Sequence, residues 1–231
     1  MSSLGHQNIP PHRPGKRAWY IKGAIVIVGL GVVVAAHPVW LSQAARFLVI
    51  EETLRPADII VVFGGYVGMK HAAGLYHQGY SSRLLIPFRP TREWIFGFIP
   101  DPVSLIREQA ESLGVPVEHL ILHRTPRRQL PEAWAQGIKA ALHPQSVTSA
   151  IVVGRPFQMR RLALLFDKVF SDAGVKLTYS PAPPEAEELS IHNWWTKRDG
   201  LITVQNEYLL LLLRVLQYRV GILRERVVEQ E

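Results

Sequence analysis

Glycines and an arginine that follow apolar runs are the residues of this 231-residue chain best suited to bind an anion. Gly64 and Gly65 follow the run Ala57–Phe63, and Arg155 follows the run Ser149–Gly154. Backbone N–H groups of glycines can approach a phosphate or carboxylate closely, and a guanidinium beside a helix start can hold it. A tight turn without any ligand explains the glycine pair equally well.

Three more side chains are candidate ligand-binding groups. Gln158 and Arg161 come shortly after Arg155, and Lys70 is the nearest cation after the glycine pair. Arg160 and Arg161 are adjacent on a predicted helix, so at most one of them should face a shared site.

Glu132 and Asp101 are the candidate acid/base residues. Glu132 opens a predicted helix, where a carboxylate also serves as a cap favoured by the helix dipole. Asp101 lies in a Pro-rich and aromatic loop, where a role in a turn is the simpler interpretation. His71 stands alone, which is more typical of a packing or surface residue than of a catalytic base. The H-E-x-x-H metal motif, a G-x-S-x-G elbow and the G-x-G-x-x-G dinucleotide motif are absent, so no metal is predicted and no cofactor is identified.

Composition excludes several classes of protein. Zero cysteines rule out disulfides, thiolate zinc sites and a cysteine nucleophile, and 19% charged residues with 48% apolar residues exclude a disordered tail. Lys plus Arg exceed Asp plus Glu by 26 − 19, or 7, and four of these cations lie in the acid-free first 22 residues. The excess is largely local, so no nucleic-acid partner is predicted.

The N-terminal region predicts a single membrane anchor. Residues 1–22 are expected to form a disordered basic cytoplasmic arm, and residues 23–41 a transmembrane helix that contacts the lipid bilayer. Basic residues before the span place the N-terminus in the cytoplasm and residues 42–231 outside the plasma (inner) membrane. A cleaved signal peptide and a buried core helix remain as alternatives.

The remaining sequence alternates five apolar runs with helical segments. This pattern predicts an α/β fold, a doubly wound, mostly parallel Rossmann-like sheet with helices on both faces. In such sheets ligands bind beyond the carboxyl ends of the strands, which is where the glycine pair and Arg155 are expected. The last helix, about 193–223, is predicted to dock on the sheet because polar residues interrupt its leucines. A second membrane contact, including one in the plane of the interface, is the alternative.

The chain resembles the YdcF-like domain family, which includes the SanA-like and ElyC-like envelope proteins. The resemblance covers roughly Ala57 to Leu223 and depends on the order of several short segments: "ADIIVVFGG", "HAAGLYHQG", "ESLGVPVEHLIL", "PEAW", "AIVVGRPFQMRRLALLF" and "GLITVQNEYLLLLLRVLQYRVG". It implies a Rossmann-like fold and a role in cell-envelope or peptidoglycan metabolism.

The chain departs from the family's pattern at polar positions. Gly68 stands where the family usually has an arginine, and Gln158 stands where it has a histidine. Glu132 and Arg161 match family positions. A glutamine can hold a ligand but cannot exchange a proton near neutral pH, so the resemblance implies a scaffold with reduced catalytic equipment.

Two hypotheses about function follow. In the first, the protein is a membrane-anchored cell-envelope factor whose extracytoplasmic domain binds a phosphorylated lipid carrier or peptidoglycan precursor, or contacts envelope proteins, with little or no turnover. Arg155, Arg161 and the glycine amides would hold the phosphate, and Glu132 would orient Arg161 or a sugar hydroxyl. In the second, a hydrolase or transferase acts on such a precursor with Glu132 or Asp101 as acid/base.

Overall fold

The computed structural model of the chain describes residues 16–89, 101–125, 131–143, 146–183 and 189–220. By its contacts the chain divides into two compact units, Met1–Leu41 and Ser42–Glu231. The division falls where the sequence places the end of the anchor.

The first unit contains helix α1 (Lys16–Ala35) and the start of helix α2 (His37–Leu48). The arm was expected to be disordered to residue 22, but the helix already begins at Lys16, since no Gly or Pro separates that residue from the apolar run. Residues 1–15 of the arm lie outside the described residues. Large apolar side chains of α1 are more than half exposed on all sides of the helix.

No single helix among the described residues is both long enough and apolar enough to cross a bilayer. One bent pair, Trp19–Ala35 with His37–Leu48, meets that length and hydropathy requirement when the two helices are taken together.

The second unit is built on a parallel sheet of five strands in the order β3-β2-β1-β4-β5. This order, with its reversal between β1 and β4, is that of the doubly wound Rossmann arrangement, so the predicted α/β Rossmann-like fold is confirmed. The strands are β1 (Ile59–Val62), β2 (Leu84–Phe88), β3 (Leu120–Arg124), β4 (Ser149–Gly154) and β5 (Lys176–Pro181).

Helices cover both faces of the sheet. Helices α3 (Gly65–His77) and α4 (Pro102–Ser112) pack on one face, and helices α5 (Pro131–Leu142) and α6 (Met159–Phe170) pack on the other. Short 3-10 turns precede β3 (Val117–His119), α6 (Pro156–Gln158) and the last helix (Trp194–Thr196).

The continuous apolar run of β1 reflects burial on both faces. Ile59 and Val61 pack into the core beneath α5 and α6, whereas Ile60 and Val62 pack beneath α3 and α4. Each fully buried aliphatic side chain contributes roughly 1.5–3 kcal/mol relative to an exposed one. The sheet is therefore fixed from both sides, which holds its strand ends rigidly in place.

Asp58 ties β1 to β4 at their amino ends. Its carboxylate accepts hydrogen bonds from the backbone N–H of Thr148 (2.8 Å) and of Ser149 (2.9 Å), and from both hydroxyls. The Thr148 backbone bond, more than any other contact, lowers the pKa of Asp58.

The last helix, α7 (Arg198–Val220), packs mainly on α6 and on the neighbouring 3-10 turns, whereas the sequence predicted docking on the sheet itself. Helices α5 and α6 already cover that face of the sheet. Val204 and Leu211 are buried in the contact with α6 and with the neighbouring 3-10 turns. Two ion pairs complete the contact. Arg161 donates to both carboxylate oxygens of Glu207 (2.6 and 3.0 Å), and Arg214 pairs with Glu132.

Candidate functional site

The turn after β1 is shaped by glycines. Gly64 and Gly65 adopt φ values of +89° and +66°, a region that side chains other than glycine rarely occupy. A Cβ on Gly68 would lie 1.7 Å from the carbonyl oxygen of Phe63. The first turn of α3 thus packs directly on the end of β1, which leaves no room for a side chain at residue 68.

Arg155 follows β4 and reaches across to the β1 turn. Strands β1 and β4 are neighbours in the sheet, so their carboxyl ends meet at the point where the strand order reverses. The Nε–H of Arg155 donates to the carbonyl oxygen of Gly64 at 3.3 Å. A Cβ on Gly64 would lie 3.1 Å from the Arg155 Cγ, so the glycine also makes space for the arginine stem.

A cleft of about 750 Å³ opens beside Arg155, between the 3-10 turn before α6 and the start of α7. Three cationic side chains and one carboxylate line it, together with apolar walls. The lining residues are Arg155, Pro156, Phe157, Gln158, Leu189, Lys197, Arg198, Asp199, Ile202 and Thr203. The excess of cations favours an anionic group, and the apolar walls favour a ligand that also carries a hydrocarbon portion.

A smaller pocket of about 200 Å³ lies on the other side of the glycine turn, between the ends of β1 and β2. Gly64 and Gly65 line it together with uncharged residues such as Ile86, Ile106 and Gln109. The positive charge at this edge of the sheet is therefore concentrated in the larger cleft.

The structure places two of the predicted site residues in ion pairs with α7. Arg161 is held by Glu207, and Glu132 pairs with Arg214, so the expected orientation of Arg161 by Glu132 is not found. Neither Arg161 nor Glu132 belongs to the lining of the larger cleft. Both side chains bind α7 instead. Their partners lie 46 and 82 residues further along the chain, so no local sequence pattern could reveal these ion pairs.

The remaining predicted site residues, Asp101, Lys70 and Gln158, do not share one pocket. Asp101 caps α4, where its carboxylate accepts a hydrogen bond from the Val103 backbone N–H at 3.2 Å. Lys70 lies exposed on α3 and is not part of the cleft lining, whereas Gln158 is.

Lys197 and Arg198 contribute to the cleft but were not singled out in the sequence. They precede and begin a helix that follows no strand directly, so the rule that ligands lie beyond strand ends did not point to them. The cluster Thr196–Asp199, "TKRD", was the available signal. Among the described residues, no group of three or more His, Asp or Glu side chains could hold a metal ion.

His71 and Ser180 share a hydrogen bond of 2.8 Å that links α3 to the end of β5. Burial lowers the pKa of His71, and the charge of Glu51 opposes that effect. Ser180 is buried, so the pair fits the packing role expected for His71.

Comparisons with known proteins yield a structural likeness alone. No family model matches the chain, and no curated protein matches it. Six chains of known structure do match. One is described as the crystal structure of an Aureusimine biosynthetic cluster reductase domain, at 13% identity and a TM-score of 0.33, over 74% of this chain and 51% of that chain. The chain thus spans about half the length of that structure, and a likeness at this level carries no argument about activity.

Proposed function

We propose that the protein is a membrane-anchored cell-envelope factor whose α/β domain binds a phosphorylated ligand, a lipid carrier or a peptidoglycan precursor, outside the plasma membrane. The observation that carries the proposal is the cleft beside Arg155, in which three cations stand over apolar walls. Phosphate would contact Arg155, Lys197 and Arg198, and a prenyl or acyl portion would lie against Phe157, Leu189 and Ile202.

Binding with little or no turnover is favoured over catalysis. Asp199 is the one carboxylate in the described lining of the cleft, and it is exposed to water. The described lining offers it neither a second carboxylate nor a histidine, so the cleft lacks the paired groups that general acid/base catalysis uses. Glu132 and Asp101, the two residues proposed as acid/base, are engaged by Arg214 and by the start of α4.

The membrane location is supported by the exposed apolar side chains of α1 and by the basic residues Lys16, Arg17 and Lys22 at its start. The resemblance to YdcF-like envelope proteins points to the same compartment. Envelope proteins are possible additional partners in this proposal, and nucleic acid is not among its ligands.

The test is a calorimetric titration of the full-length protein in detergent micelles with geranyl phosphate, with geraniol and inorganic phosphate as separate arms. We expect geranyl phosphate to bind more tightly than either fragment, because it engages both the cations and the apolar walls. Loss of one charge-assisted contact costs about 1.5–3 kcal/mol, so Arg155→Ala should weaken binding roughly tenfold or more.

Arg83→Ala is the matched control, since Arg83 immediately precedes β2 and so lies at the amino ends of the strands, away from the cleft. It should leave the affinity unchanged, as should Glu132→Gln. Equal affinity of the wild type and of Arg155→Ala for geranyl phosphate would contradict the proposal. So would enzymatic release of phosphate from geranyl phosphate, if the wild type shows that activity and Glu132→Gln lacks it.

A further inference from the structure

Helix α7 turns its charged side chains inward and its apolar side chains outward. From residue 200 to residue 216 the helix carries two charged side chains, Glu207 and Arg214, and both are less than 10% exposed. The outer face is formed by large apolar side chains that are 46–55% exposed, namely Ile202, Leu209, Leu212 and Val215. A helix that faces water normally shows the reverse arrangement.

Between Ile202 and Val215 this outer face carries no charged side chain. Its apolar residues recur at intervals of seven, three and three residues, which places them along one side of a helix. Gln205 and Asn206, also exposed, are polar but uncharged. An apolar strip of this kind, interrupted only by those two amides, marks a contact surface rather than a random set of exposed side chains.

The chain itself indicates what covers the strip. Tyr208 lies in the middle of α7, and its hydroxyl donates to the Ala44 carbonyl oxygen at 2.7 Å. Its ring also stacks on Phe47, with centroids 6.1 Å apart. Ala44 follows Leu41, the last residue of the proposed anchor, by three residues, or about 4.5 Å along a helix. An anchor in the bilayer would therefore keep α7 within reach of the membrane surface.

Charge at the start of α7 fits the same partner. Lys197 and Arg198 stand at the amino end of the helix, beside the first apolar residue of the strip, Ile202. A basic end next to an apolar face is the arrangement by which helices lie on anionic lipid headgroups. Ile202 also lines the cleft, so this contact would bring the cleft to the bilayer surface.

We infer that the outer face of α7 lies in the membrane interface, with Leu209, Leu212 and Val215 at the boundary between headgroups and acyl chains. None of these three residues lines the anion-binding cleft, so ligand binding can fail while this contact holds, and the reverse. Its occupant is the lipid bilayer, not a second copy of the chain.

Spin labelling tests the inference in the full-length protein, whose lack of cysteine gives every variant a single labelled position. The variants Leu209→Cys, Leu212→Cys and Val215→Cys are reconstituted in vesicles of phosphatidylethanolamine and phosphatidylglycerol. Accessibility to oxygen, which concentrates in lipid, is compared with accessibility to a water-soluble nickel chelate. Glu108→Cys, exposed on the opposite face of the sheet, is the water control, and Val28→Cys in α1 reports insertion of the anchor.

We expect the ratio of oxygen to nickel accessibility at all three α7 positions to exceed that at Glu108→Cys several-fold. A ratio equal to that of Glu108→Cys means that the face points to water and overturns the inference. Low accessibility to both reagents means that protein covers the face, and it overturns the lipid assignment in favour of a second copy. A water-like value at Val28→Cys would reject the anchor alone, because the α7 positions are read independently.

Discussion

At the residue scale, Gly68 shows how closely the site is tied to its sheet. A side chain here would collide with the backbone of Phe63, which cannot rotate away as a flexible side chain can. Gly68→Ala should therefore destabilise the protein by about 1–3 kcal/mol through overpacking, measured by urea denaturation. Gly74→Ala is the matched control in the same helix. Its Cβ meets open space, so it should be neutral or slightly stabilising. An equal effect of both substitutions would argue against the close packing of α3 on β1.

His71 gives a prediction about pH. Burial lowers its pKa in the folded state, so the folded protein holds a neutral imidazole that the unfolded chain would protonate near pH 6.5. The corresponding contribution to stability is present above that pH and is lost as pH falls through the lower folded pKa. His71→Gln should flatten the fall in the urea midpoint between pH 7 and roughly pH 5. Burial also lowers the pKa of His123, which should preserve part of the slope. An unchanged slope in His71→Gln would refute this assignment.

The sequence predicted the surroundings of a site residue well where its partners lie at the ends of neighbouring strands, and poorly where its partner lies on a distant helix. Gly64 and Arg155 follow neighbouring strands, and the parallel sheet brings them into contact. The two glycines nevertheless line the smaller pocket, whereas Arg155 lines the larger cleft. Arg161 and Glu132 also sit near strand ends, but their partners on α7 draw them into ion pairs. No local pattern distinguishes a cation that awaits a ligand from one that a distant carboxylate neutralises.

At the element scale, the ion pairs between α7 and the domain should contribute to docking. Glu207 is buried, so Glu207→Gln leaves Arg161 with an uncompensated charge and should cost roughly 3 kcal/mol in a urea titration. Asp172→Asn removes the surface pair with Lys139, in which the carboxylate is largely exposed, and should change stability little. A loss as small for Glu207→Gln as for Asp172→Asn would mean that the α7 pair contributes nothing to docking.

The secondary elements were predicted well where a periodic or continuous apolar pattern was strong. Strand β4 has the bounds of the apolar run Ser149–Gly154, and helix α5 has the bounds Pro131–Leu142 that its N-terminal proline predicts. The sequence predicts a helix over Gly68–Gly79, but α3 starts three residues earlier, since the two glycines permit a tight entry from β1.

Three further segments predicted from composition lie wholly or partly outside the described residues. They are a Pro-rich and aromatic loop at 89–102, a basic cluster at 124–128 and a turn-rich acidic stretch at 182–190.

At the scale of the whole molecule, the orientation across the membrane is a separate prediction. The basic residues Lys16, Arg17 and Lys22 precede the apolar span, so they should stay in the cytoplasm. Alkaline phosphatase fused after Glu231 should be active, because the enzyme folds in the oxidising compartment outside the membrane. The same reporter fused after residue 21, ahead of the span, should be inactive. Activity of the second fusion without the first would reverse the proposed orientation.

The fold class of the whole molecule could be predicted from the sequence, but the strand order and the position of the cleft could not. Alternating apolar runs and helices required a parallel sheet, yet the order of its strands depends on contacts between distant residues such as Val62 and Val153. The cleft lies where the start of α7 meets the 3-10 turn that follows β4. No spacing of residues along the chain predicts this contact.

The central claim, that a phosphorylated amphipathic ligand occupies the cleft beside Arg155, is tested most directly by photolabelling. A geranyl phosphate analogue with a photoreactive group on its prenyl chain is irradiated with the full-length protein, and the labelled peptides are identified by mass spectrometry. The account predicts labelling of the segments 155–158 and 197–203, suppressed by excess geranyl phosphate and reduced in Arg155→Ala. Labelling confined to other segments, such as α4 beside the smaller pocket, would contradict it.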